Sequence, residues 1–191
     1  MISQEDFLTT LIKKLDEYSI PYMLAGSVAS SLHGQPRATR DVDIVIAATK
    51  EQVLNLVKAL GENYYVSPSA IQEAFAHNSM FNVIDSISAW KADFIIRKNR
   101  PFSKSEFERK RIATIKGFNV WVASPEDTIL SKLDWAKASA SEQHFRDALG
   151  VAVVQYERLD MHYLHKWARE LSVEIVFNQL LEQAKKQIHS E

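Results

Sequence analysis

Met23–Ile46 reads MLAGSVASSLHGQPRATRDVDIVI, and its reading decides the fold. Tyr22 to Ala25 is apolar and predicts a short strand that ends at Gly26, where the missing side chain permits a tight turn and close approach by a ligand. Ser27 is placed as the N-cap of a helix through about His33, its side-chain oxygen taking an orphan amide of the first turn. Such a helix start, with free N–H groups and a positive dipole end, suits phosphate. Gly34 and Pro36 stop the helix. Asp41 to Ile46 then predicts a second strand, in which Asp41 and Asp43 share one face while Val42, Ile44 and Ile46 enter the core.

Two carboxylates side by side on a largely buried strand repel each other and make ionisation costly. A divalent cation removes that conflict. Oxygen-only ligation suits magnesium, or manganese in its place, which keeps several waters and is completed by substrate phosphates. The stretch therefore pairs an anion-binding helix start with half of a cation site, the two requirements of phosphoryl or nucleotidyl transfer.

Outward from this stretch the chain is ordinary for a soluble globular protein: 191 residues, 46% hydrophobic and 25% charged. A net charge of -1 excludes a global electrostatic drive toward nucleic acid. The absence of cysteine excludes disulfides and thiolate chemistry. The N-terminal MISQEDFLTTLIKKL is acidic where a signal peptide would be basic, and no apolar run reaches membrane-spanning length, so a cytoplasmic protein is expected.

Ser3 and Asp6 are spaced as a capping box for a helix carrying Phe7, Leu8, Leu11, Ile12 and Leu15. Thr49 caps a helix that ends at Gly61, and Pro68 or Ser69 opens another to about His77. Met80 to Ile84 and Ala92 to Ile96 read as a hairpin. The second strand, KADFII, places Asp93 among apolar neighbours, as DVDIVI does Asp41 and Asp43. A lone charge there is costly without a partner, which makes Asp93 a third candidate carboxylate. Asp85, at a strand end beside a turn, reads as a local hydrogen-bonding residue. Arg97 to Arg111 is basic and polar and reads as a solvated helix and loop, with the steering of an acidic acceptor as the alternative. Ile112 to Ile115 and Asn119 to Val122 form a last hairpin. From Ser124-Pro125-Glu126-Asp127, a strong helix start, only helices are predicted. One candidate boundary follows, between an α/β core over residues 1–123 and a helical part over 124–191, with a single compact domain as the alternative.

Gly26-Ser27, thirteen residues, Asp41-Val42-Asp43, and a lone acid on a later strand resemble the pattern of the polymerase-beta-type nucleotidyltransferase superfamily. PRATRDVDIVI and the later SPEDTILSKLDWAK and FRD resemble the branch related to AbiEii-type nucleotidyltransferase toxins, over about Tyr22 to Gly150. The resemblance implies an α/β (α+β) nucleotidyltransferase-like fold, a short mixed sheet flanked by helices, with a C-terminal helical part closing the nucleotide cleft. It implies that Gly26 and Ser27 hold the triphosphate of an NTP, and that Asp41, Asp43 and Asp93 ligate the metal. Asp93 would also orient or deprotonate the acceptor hydroxyl. Lys132 matches the family lysine near the phosphates, and Asp147 a second acid of that helical motif. Arg37 and Arg40 either contact phosphate or neutralise the Asp pair. The acceptor implied is a tRNA end, a protein or a small molecule, with no membrane partner. The alternative is a catalytically silent domain binding nucleotide or a partner protein in a toxin–antitoxin setting.

Each residue also has a plainer reading. Ser27 is then only a cap, Asp41 pairs with Arg40 or Arg37, and Asp93 pairs with Lys91 or Arg97 at a sheet edge. Lys132 snorkels from an apolar helix face and Asp147 makes a surface pair. Phe94, Trp121, Trp135 and Trp167 read as core, and His162 with His165 as a solvated face.

Overall fold

The computed structural model describes residues 3–139 and 141–190. Met1 and Glu191, the outer ends of the two expected segments, lie outside the described residues. Two compact units are present. The first takes the chain up to Ala25 together with Thr39–Val122, and the second takes Gly26–Ala38 together with the chain from Ala123.

The first unit holds a seven-stranded sheet and four helices. Its elements are α1 (Gln4–Glu17), β1 (Tyr22–Leu24), β2 (Asp41–Ile46), α3 (Lys50–Leu60), β3 (Tyr64–Tyr65), α4 (Pro68–His77), β4 (Met80–Asp85), β5 (Lys91–Ile96), α5 (Pro101–Glu108), β6 (Arg111–Ile115) and β7 (Phe118–Val122), while α2 (Gly26–His33) belongs to the second unit. The strand order is β3-β4-β5-β2-β1-β7-β6. β2 runs antiparallel to β1 and parallel to β5, so the sheet is mixed and β2 and β5 lie well inside it. A strand hydrogen-bonded on both sides must bury its apolar residues, and β2 does so by strict alternation, with Val42, Ile44 and Ile46 buried.

Local chemistry sets the helix boundaries. Ser3 and Asp6 form the expected capping box of α1, whose Phe7, Leu8, Leu11, Ile12 and Leu15 are all buried. Each such side chain contributes about 1.5–3 kcal/mol relative to exposure. Thr49 and Gln52 form a second capping box on α3, and Gly61 ends that helix at φ 74°. Asp85 acts locally, as its position suggests: Oδ1 accepts from the Ile87 and Ser88 amides at 2.8 and 3.2 Å.

The aromatic expectations divide. Phe94 is fully buried and Trp167 nearly so, whereas Trp121 is 38% and Trp135 49% exposed. Trp121 lies across from Ile112 on the β6–β7 hairpin, in which β6 is the outermost strand of the sheet. Lys110 crosses the rings of Phe107 and Trp121 at 4.0 and 5.4 Å from their centroids. Nor is the Arg97–Arg111 stretch simply solvated, because α5 buries Phe102, Ser103, Glu106 and Phe107.

The second unit is helical: α2 (Gly26–His33), α6 (Pro125–Ser139), α7 (Glu142–Gln155), a 3-10 turn (Tyr156–Arg158), α8 (Met161–Glu170) and α9 (Glu174–Ile188). The Ser124 hydroxyl opens α6, accepting from the Asp127 amide at 3.1 Å and donating to its carboxylate at 2.6 Å. α2 is fastened to α7 by a backbone approach so close that a Cβ on Gly34 would lie 2.6 Å from the Val151 nitrogen. Gln155 Nε2 adds a bond to the His33 carbonyl at 2.8 Å.

Candidate active site

In the sheet unit the carboxylates come together through register. On parallel strands β2 and β5, Asp41 faces Lys91 and Asp43 faces Asp93, so all four side chains occupy one face. Lys91 Nζ lies 3.5 Å from Asp41 Oδ2 and 3.2 Å from Asp93 Oδ1. Asn82, across from Asp93 on β4, donates to Asp93 Oδ1 at 2.6 Å. Asp93 therefore pairs with Lys91, but on an interior strand rather than at a sheet edge. Burial opposes the charge on the Lys91 ammonium, yet the hydrogen bond and charge of Asp93, with Asp41 adding to them, hold its pKa above the ordinary lysine value.

Among the described residues, no group of three or more His, Asp or Glu side chains is gathered as a ready metal cage. The donor chemistry nevertheless fits a hard cation. Two carboxylates already converge on one ammonium, a third stands in register beside Asp93, and oxygen donors suit magnesium, which needs few protein ligands. Asp41, Asp43 and Asp93 are the residues able to hold it.

In the helical unit the cluster centres on Asp147. Arg37 approaches it with two nitrogens, Nε to Oδ1 at 2.8 Å and Nη2 to Oδ2 at 2.9 Å. Lys132 Nζ donates to Oδ2 at 2.7 Å and Gln143 Nε2 to Oδ1 at 2.7 Å. These four bonds fill the acceptor positions of the carboxylate. Burial pushes Asp147 up, but the hydrogen bonds from Arg37, Lys132 and Gln143 outweigh it and hold the group far below the usual carboxylate range. Lys132 is 5% exposed and is neither snorkelling nor solvated.

Arg37 Nη2 also donates to the Ser27 hydroxyl at 2.5 Å. Ser27 is thus not the helix cap expected of it. α2 begins one residue earlier, at Gly26, whose φ of 54° is a conformation that favours glycine. Arg37 is engaged by Asp147 and Ser27, while Arg40 is exposed just before β2. Arg37 and Lys132 both donate to Asp147 beside the start of α2, a basic grouping whose chemistry suits an anion.

Three participants were not singled out from the sequence. Asn82 is found only through hairpin register. Gln143 and His144 precede Asp147 by four and three residues on α7, a spacing that places them on its face and was the available signal. Among the described residues, His144 Nδ1 is buried without a hydrogen-bond partner.

A mixed sheet with neighbouring carboxylates on two parallel strands, and a Gly-Ser helix start entered from β1, defines a nucleotidyltransferase-like fold. The profile of a family described as "Nucleotidyltransferase of unknown function (DUF6036)" matches residues 2–187, and the chain belongs to that family. Solved structures agree on the fold. ANT(2'')-Ia in complex with adenylyl-2''-tobramycin is 14% identical with a TM-score of 0.58, covering 88% of this chain and 97% of its own. An antigenic nucleotidyltransferase-like protein from Paracoccidioides brasiliensis is 16% identical with a TM-score of 0.57, covering 94% and 92%. Lincomycin-bound lincosamide antibiotic adenylyltransferase LnuA is 15% identical with a TM-score of 0.51, covering 77% and 95%. No curated protein matches the chain.

Proposed function

We propose that this protein is a metal-dependent nucleotidyltransferase that moves an NMP from an NTP to an acceptor hydroxyl. The observation that carries the reading is the register of β2 against β5, which aligns Asp43 with Asp93 and sets Asp41 on the same face. Asp93, buried on an interior strand, is costly to retain unless a cation uses it, and Asp41 and Asp43 stand on the same face. Magnesium or manganese held by Asp41, Asp43 and Asp93 supplies charge stabilisation at the reacting phosphate.

The chain's own residues divide the remaining work. Arg37 and Lys132, oriented by Asp147, bind the triphosphate together with the Ser27 hydroxyl and the Gly26 helix start; Arg40 adds an exposed positive charge. Asp93 takes the proton of the acceptor hydroxyl. The acceptor oxygen forms a bond to the α-phosphorus, the bond from that phosphorus to the α–β bridging oxygen breaks, and pyrophosphate leaves. The core of residues 1–123 carries the carboxylates, and the helical part of 124–191 supplies Lys132 and Asp147. We place the protein in the cytoplasm, where NTPs are found; among the described residues no helix is long and apolar enough to cross a membrane.

Adenylyl-2''-tobramycin and lincomycin, seen with two of the structural neighbours, bring small-molecule hydroxyls into the acceptor screen. The likeness to AbiEii-type toxins brings a tRNA 3' end and a protein hydroxyl. Transfer of label from an α-labelled NTP in magnesium to one of these acceptors, lost in Asp43→Asn, supports the enzyme. Lys91 favours a second reading. A lysine that already satisfies Asp41 and Asp93 fits a silent nucleotidyltransferase-like domain of a toxin–antitoxin type system. NTP binding without transfer to any acceptor supports that alternative.

A further inference from the structure

The cation position between Asp41 and Asp93 is held by a group of the chain itself. Lys91 Nζ stands within 3.5 Å of Asp41 Oδ2 and 3.2 Å of Asp93 Oδ1, while Asn82 fixes Asp93 Oδ1 from the other side at 2.6 Å. The lysine side chain is 32% exposed, so its flexible stem has solvent into which to withdraw without moving β5. Asp93 cannot withdraw in the same way, whereas the Asp41 side chain is 49% exposed. Asp93 is 11% exposed at its side chain and Asp43 stands beside it in register. The arrangement is therefore fixed at Asp93 and movable at Lys91.

We propose, building on the metal-dependent reading above, that Lys91 is a resident counter-ion that competes with the divalent cation for Asp41 and Asp93. It holds the carboxylates together when metal is absent and must be displaced for metal to enter. Metal alone is consequently bound weakly, and nucleotide, which brings its own negative charge to the cation, is needed for tight occupancy. Lys91 acts through the carboxylates and is a positioning residue, not a catalytic one.

The test is manganese binding without nucleotide, read as loss of the free-ion electron paramagnetic resonance signal, for wild type, Lys91→Met, Lys91→Gln and Lys91→Arg. Lys91→Met and Lys91→Gln are expected to bind manganese at least tenfold more tightly than wild type, and Lys91→Arg, which keeps the charge, to stay within about threefold of it. Adding Asp43→Asn to Lys91→Met should abolish the gain. A merely structural lysine would lower the melting temperature of the variants without tightening manganese. Equal or weaker binding by both neutral variants overturns the role of Lys91 alone, because measurable wild-type binding leaves the metal site standing. A gain that survives Asp43→Asn places the ion elsewhere and also overturns it. No manganese binding by any of the four proteins overturns both this role and the metal-dependent reading.

Discussion

Lys132 Nζ lies 2.7 Å from Asp147 Oδ2, with the two side chains 6% and 4% exposed. Fifteen residues apart on α6 and α7, they form a buried ion pair that Arg37 extends toward Ser27. A buried pair is costly to break because the remaining partner keeps its charge without compensation. Lys132→Met is therefore expected to lower unfolding free energy by about 3 kcal/mol, measured by urea denaturation. A change below about 1 kcal/mol would mean that Arg37 alone neutralises Asp147.

Arg37→Lys keeps the charge and loses the geometry. One ammonium cannot reproduce the paired Nε and Nη2 bonds to Asp147 while also reaching Ser27. Affinity for a non-reacting α,β-methylene NTP is expected to fall about tenfold, roughly 1.4 kcal/mol. Calorimetry showing wild-type affinity would remove Arg37 from the phosphate-binding set.

The two glycines where α2 meets α7 are not equivalent. A Cβ on Gly34 meets Val151 and Gly150 backbone atoms at 2.6 and 2.7 Å, whereas a Cβ on Gly150 meets nothing closer than 3.5 Å. Gly34→Ala should cost about 1–3 kcal/mol, since backbone cannot give way as a side chain can. Gly150→Ala should be neutral, or stabilising by up to about 1 kcal/mol through helix propensity. Thermal denaturation of the two variants gives the comparison, and similar melting temperatures would contradict the close approach.

Acidification should act on this same cluster. His144 is held below the ordinary histidine range by burial first and by the charge of Lys132, with Arg37 assisting against the opposing pull of Asp147. The unfolded chain takes up this proton near pH 6.5 while the folded chain resists, so stability falls as pH drops below about 6.5. Asp147, also lowered, adds a loss that begins below about pH 4, where the unfolded carboxyl protonates and the folded one does not. His144→Gln should flatten the fall in urea midpoint between pH 7.5 and 5.5. An unchanged slope would assign it to other groups.

Much of this site was legible because strand and helix periodicities are short-range. The alternation in DVDIVI and KADFII placed Asp41, Asp43 and Asp93 correctly on their strands, and Ser3, Thr49 and Ser124 marked helix starts through local hydrogen bonding. What escaped was set by pairing across distance. Nothing local says that β5 lies inside the sheet, which is why a sheet-edge pair was an open reading for Asp93. Trp121 is apolar, but alternation alone does not say which face of its hairpin is covered, and it is 38% exposed. Ser27 has the chemistry of a cap, yet Gly26 adopts a positive φ and starts the helix first, leaving the hydroxyl for an arginine ten residues on.

The central claim is that the β2 carboxylates form a metal-dependent nucleotide site. Its most direct test is calorimetric titration of the four NTPs, with and without magnesium, into wild type and Asp41→Asn/Asp43→Asn. Binding of at least one NTP that requires magnesium and disappears in the folded double variant is the predicted result. Magnesium-independent binding that persists in the double variant, or no binding of any NTP to the folded wild type, would contradict it.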